Sequence, residues 1–165
     1  MKTIIAKPLT RASFAPFGDV MEMEGAAHYP INNGMTTRYH DLANIEATGP
    51  NAKIIVSLFA GQPYALPLEL LLVERHPLGS QAFYPLDGKP WLVIVARDEN
   101  GEPSDPEAFL ASGIQGVNYP AGQWHGVLTP FGAPQNFIVI DRGGDGKNLE
   151  EFTFETPYQI ALEGM

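Results

Sequence analysis

Apolar and polar positions alternate over short stretches, with no long helical period between them. Apolar, β-branched runs recur over residues 53–59, 68–76, 81–86, 91–96, 116–119, 126–128 and 137–141, with Gly or Pro between them. Runs of this length and spacing predict the strands of a sandwich or closed barrel. Ile4, Ile5 and Ala6 open the chain as a further strand, and Val20 marks another. Thr10 is placed to cap a single helical turn over residues 11–15, stopped by Pro16. The clearest predicted helix covers residues 106–112: Asp105 can cap it, Pro106 suits its first position, and Gly113 follows Ser112 to end it. It is expected outside the barrel. Residues 25–41 hold Asn32, Asn33, Arg38, His40 and Asp41 around Gly34 with little apolar periodicity, so they read as a turn or hairpin. Residues 98–105 and 143–148 have the composition of surface loops. Without an internal repeat or linker, residues 1–165 are expected to form one mainly β domain.

Composition sharpens this picture in three ways. Gly 17 and Pro 15 are too many chain punctuators for a helical bundle. A net charge of -9 would repel a phosphate backbone and an anionic membrane surface, so neither nucleic acid nor membrane is expected as a partner. The absence of cysteine rules out disulfides, thiolate metal sites and a cysteine nucleophile, leaving His and carboxylates for any metal. No stretch approaches the ~20 apolar residues of a membrane span. The opening segment reads as a strand rather than a signal peptide, which makes the cytoplasm the expected compartment.

The chemistry concentrates in two places. Glu74 and His76 lie two apart on a predicted strand and so point to the same face, and Gln81 follows on the next strand. His125 stands three residues beyond Gly122 in a predicted turn. The spacing Glu74-x-His76, Gln81, Gly88, then Pro120-x-Gly122-x-x-His125, resembles the two motifs of the cupin superfamily. In that superfamily two histidines and a glutamate of the first motif and a histidine of the second bind a divalent metal inside a small β-barrel. Here Glu74 stands where the first histidine is expected and Gln81 where the glutamate is expected. The resemblance implies a cupin-like antiparallel barrel, a jelly roll, with a few short helices.

A narrower resemblance spans nearly the whole chain. Ile31 to Gly34 (INNG), Arg38 to Ala43 (RYHDLA), Glu74 to Phe83 (ERHPLGSQAF), Gly116 to Tyr119 (GVNY), Trp124-His125 and Ile140 to Gly144 (IDRGG) are similar to blocks of the bacterial ureidoglycolate lyases, formerly called ureidoglycolate hydrolases. That family implies a cytoplasmic homodimeric enzyme of allantoin breakdown that converts (S)-ureidoglycolate into glyoxylate and urea with a divalent metal, nickel. On this reading His76, His125, Gln81 and Glu74 are the metal ligands, and Glu74, His76 and His125 the catalytic set. Glu74 can equally serve as a base, because burial raises a carboxyl pKa. Arg38, beside His40, suits the substrate carboxylate, while Asn32 and Asn33 offer donors and acceptors to a ureido group. Two other outcomes stand beside this one: an amidohydrolase releasing ammonia and carbon dioxide, and a non-catalytic cupin that binds a small carboxylate.

Overall fold

A computed structural model describes residues 1–165. The strands are β1 (Lys2–Ile5), β2 (Lys7–Pro8), β3 (Asp19–Met21), β4 (His28–Ile31), β5 (Thr36–Tyr39), β6 (Lys53–Gly61), β7 (Leu68–Arg75), β8 (Gln81–Pro85) and β9 (Trp91–Ala96). They continue as β10 (Asp98–Glu99), β11 (Glu102–Pro103), β12 (Glu107–Ala111), β13 (Gly116–Tyr119), β14 (Trp124–His125), β15 (Thr129–Pro130), β16 (Gln135–Gly143) and β17 (Glu150–Ala161). The α-helix, α1 (Arg11–Phe14), is a single turn held by a reciprocal cap between Thr10 and Ser13. No helix is long and apolar enough to cross a membrane.

Two sheets carry the molecule. The larger runs β1-β17-β7-β14-β9-β12-β2, with β15 also on β9; the smaller runs β3-β13-β8-β16-β6. The two ends of the larger sheet, β1 and β2, are separated by Ala6 alone, so it curls into a nearly closed barrel. β9 is buried on both faces. Trp91, Val93 and Val95 join Phe14, Phe109, Phe83 and Phe137 in the core between the sheets, while Leu92, Ile94 and Ala96 join Leu70, Val73 and Ile160 on the other side. A strand covered on both faces reads as a continuous apolar run, which is what WLVIVA is.

Three expectations are corrected. Residues 106–112 are not a helix: Glu107–Ala111 is β12, paired antiparallel with β9. Its Ala108, Phe109 and Ala111 are fully buried between neighbours on both sides, a demand that local capping signals do not express. Asp105, read as a helix cap, instead accepts hydrogen bonds from Lys2 and Tyr158. Residues 126–128 separate two short strands, β14 and β15, rather than forming one, and residues 98–105 contain the hairpin β10/β11 rather than only loop. The longest strand, β17, was not anticipated; its middle slips register between Thr153 and Tyr158, which blurs the alternation of Phe152 and Phe154.

Phe109 packs edge-on against Phe14 at 5.5 Å and Phe17 at 6.0 Å. Truncating it to Ala is expected to cost ~3–5 kcal/mol in urea unfolding. A loss within ordinary surface limits, about 0.5 kcal/mol, would contradict the buried-strand placement.

Candidate metal centre and active site

Three strands bring the donors together. His125 on β14 is the direct cross-strand partner of Glu74 on β7 and also pairs with Val95 on β9. His76 follows the end of β7, and its carbonyl accepts a hydrogen bond from the Gly122 N–H at 2.9 Å. Gly122 has φ +80, so this turn requires a residue without a Cβ penalty, and it fixes His125 three residues on. Donor atoms of Glu74, His76 and His125 all lie within 4.8 Å of one another.

The imidazoles are oriented by backbone carbonyls. His76 Nδ1 lies 2.8 Å from the Asn148 carbonyl and His125 Nδ1 2.9 Å from that of Gly126. A carbonyl can only accept, so each Nδ1 carries a proton, and in the neutral ring Nε2 presents a lone pair. Both Nε2 atoms are buried and have no hydrogen-bond partner. Gln81 follows the same logic: its Nε2 donates to Asp141 Oδ2 at 3.1 Å, and its Oε1 is buried without a donor. The Tyr119 ring stacks on His125 at 4.2 Å with planes 3° apart and fixes its tilt.

Burial sets the charges. It pushes His125 down to about 3, the neighbouring His76 adding to the effect against the Gly126 hydrogen bond, so the ring is neutral at physiological pH. Burial also raises the Glu74 carboxyl, with His76 opposing and Glu151 assisting. Tyr119 is raised by burial and by the Glu74 carboxylate, and stays a neutral phenol. Three buried acceptor atoms without donors beside a carboxylate are a poor set for mutual hydrogen bonding. They suit a divalent cation.

Glu74 and Gln81 open onto a cavity of about 640 Å³ walled by residues 59–64, Phe83, Val127 and Leu128. No Lys or Arg lines it. Asn32, Asn33, Arg38 and His40 sit elsewhere, on the β4/β5 hairpin. Asn32 and Asn33 form its tip with φ of 53 and 56, the positive values that short polar side chains tolerate. Arg38 and His40 are exposed beyond it, and His40 Nδ1 is 3.5 Å from the Tyr29 hydroxyl.

Asp141, Asn148 and Tyr119 were not foreseen in these supporting roles. Asp141 shares the alternation of Phe137 and Val139 on β16, so an inward carboxylate was readable there; the carbonyl of Asn148 leaves no sequence signal. Asn148 is itself held by the Leu78 N–H on its Oδ1 at 2.8 Å.

The model of the ureidoglycolate lyase family matches residues 1–161. The chain is 58% identical to a ureidoglycolate lyase of Mesorhizobium japonicum over 98% of its own length and 99% of the relative's. It is 59% identical to that of a Chelativorans species, with 98% of each chain covered. Against ureidoglycolate lyase 2 of Rhizobium meliloti it is 57% identical, over 93% of this chain and 94% of the other.

Two outcomes are expected. Asp141→Asn permits the Gln81 amide to turn, and divalent-cation affinity measured by chelator competition should fall roughly 10- to 100-fold. In chelator-stripped protein, His125 is neutral when folded and takes a proton near pH 6.5 when unfolded. Its depressed folded pKa therefore gives stability that is complete above about 6.5 and is lost as pH falls toward about 3. Urea midpoints across that range should fall with acidification, and His125→Asn should flatten part of the slope.

Proposed function

The chain belongs to the ureidoglycolate lyase family, and we propose that the Glu74, His76, Gln81 and His125 cluster is the centre at which it cleaves ureidoglycolate to glyoxylate and urea. The observation that carries this reading is the trio of buried, donorless acceptors, His76 Nε2, His125 Nε2 and Gln81 Oε1, beside Glu74 at the base of a cavity. The same reading takes nickel as the ion, a homodimer as the assembly and the cytoplasm as the compartment, as the family resemblance implies.

Ureidoglycolate carries a carboxylate, a hydroxyl and a ureido nitrogen on one carbon. Cleavage removes the hydroxyl proton as the C=O double bond forms, breaks the C–N bond and returns a proton to the departing nitrogen. No water is consumed, which separates this reaction from hydrolysis. A divalent cation held by these four side chains would polarise the substrate oxygens and lower the hydroxyl pKa. Glu74 is the only carboxylate lining the cavity, its carboxyl raised by burial, and as the alternative to ligating the cation it takes the hydroxyl proton and passes it to nitrogen. The carbonyls of Asn148 and Gly126 aim both imidazoles, and burial keeps His125 neutral. Phe59, Phe83 and Val127 give the cavity apolar walls that limit water.

His76→Ala and His125→Ala should each lose bound metal and on the order of a hundredfold or more of turnover together, with the fold kept. Metal analysis beside an assay of glyoxylate and urea checks this, after subtracting spontaneous decay of the substrate. Ammonia released without added urease would favour the amidohydrolase instead, and wild-type turnover in both variants would move the site elsewhere.

A further inference from the structure

The cavity described above poses a charge problem. Its substrate on the proposed reading is an anion, the one acidic residue lining it is Glu74, and no Lys or Arg of the same chain lines it. A carboxylate substrate is ordinarily oriented by a guanidinium fork. The candidate cation, Arg38, stands on the β4/β5 hairpin with an exposed side chain that makes no hydrogen bond or ion pair within its own chain, and it does not line the cavity.

That hairpin lacks a partner. It forms a two-stranded sheet of its own, pairing with neither of the two large sheets. From His28 to Arg38 every residue except the half-buried Ile31 is exposed, with Met35 at 86%. An isolated two-stranded hairpin is marginal in water unless something covers it.

The smaller sheet has a matching deficit. β6 is its edge strand, and along its outward side Ile54, Val56 and Leu58 are 46%, 69% and 72% exposed. Ile138 and Ile140 of β16 lie directly beside Leu58 and Val56 and extend this apolar face. Edge strands left bare in this way template pairing or packing with another chain.

The hairpin is rooted at the opposite edge of the same sheet. It follows β3, and the chain after it is tied down by Asp19 Oδ2 accepting from the Asn44 N–H and by the Asn44 carbonyl accepting from Asn118 Nδ2, both at 3.0 Å. With strand order β3-β13-β8-β16-β6, a two-fold axis parallel to the strands stacks two outer faces and sets the β3 edge of each copy over the β6 edge of the other. β6 ends in residues 59–61, which wall the cavity. We propose that a second copy of this chain covers the outer face of the β6 sheet, and that its hairpin brings Arg38 to the mouth of the first copy's cavity to bind the substrate carboxylate. Charge complementarity supports this occupant: a cation without a partner on one copy meets an acidic cavity without a cation on the other.

The inference rests on the reading of the cavity as a ureidoglycolate site, and the test separates the two. Arg38→Ala should lower kcat/KM by about ten- to a hundredfold through KM while metal content stays at the wild-type level. A heterodimer of one Arg38→Ala chain and one His125→Ala chain, isolated through two different tags, pairs an intact hairpin with an intact donor cluster at one of its two sites. It should regain about half of wild-type turnover. If Arg38 served its own chain, neither site would be complete, and the heterodimer would stay as weak as its parents; that result overturns the inference. Light scattering should give about twice 18.0 kDa, and Val56→Glu with Leu58→Glu should shift it toward the monomer with a loss of turnover. A wild-type mass of 18.0 kDa at assay concentration also overturns the inference and leaves the apolar face to a different protein. A dimer inert toward ureidoglycolate overturns the functional reading itself.

Discussion

The candidate site keeps three acceptor atoms, His76 Nε2, His125 Nε2 and Gln81 Oε1, buried with no hydrogen-bond partner, and much of the architecture around it serves that constraint. An orphaned buried acceptor costs about 1–3 kcal/mol, and an unconstrained His or Gln would relieve it by rotating. Rotation is blocked at each position by a bond on the far side of the group. Asn148 and Gly126 hold the two imidazoles, and Asp141 holds the Gln81 amide. These partners are held in turn. Arg142, nearly buried, donates to the carbonyls of Thr48, Pro50 and Asp145 and fastens the loop that precedes Asn148. Gly79 is needed where that arginine passes, since a Cβ there would sit 2.6 Å from Arg142 Cβ. The aromatic core between the sheets supplies the stability from which such a site is maintained.

The departures from the usual cupin donors look different once the four side chains are seen together. Placing Glu74 where a histidine is expected adds one negative charge, and placing Gln81 where a glutamate is expected removes one. The donor set keeps a formal charge of minus one, with the carboxylate moved to the strand position that faces the cavity beside Gln81. A second carboxylate, Asp141, stands behind Gln81 rather than among the donors. An anionic substrate therefore meets one carboxylate at the floor, not two.

The strand framework was legible because its runs are short, β-branched and punctuated; β9 and β13 fall on the expected residues. The convergence of Glu74, His76 and His125 was readable from period-two alternation and the Gly122 turn. What escaped depends on long-range partners. Residues 106–112 carry good helix-boundary chemistry, yet β9 and β2 flank them and β-pairing prevails over local preference. β17 was hidden by its register slip. The supports of the site were visible only in part, because Asp141 alternates with core residues whereas Asn148 acts through its backbone. The chain alone also could not show that Arg38 stands apart from the cavity, since a polar hairpin has the same sequence whether it folds over its own barrel or away from it.

The larger sheet has no free ends in the ordinary sense, because both are formed by the first eight residues, β1 lying parallel to β17 and β2 parallel to β12. In biosynthesis this reverses the order of things. Residues 2–5 leave the ribosome long before their partners, residues 158–161, have been made. Closure of the barrel must wait for translation to reach them. Until then, Ile4 and its neighbours lack the strand they pair with, and the seam they fill cannot close.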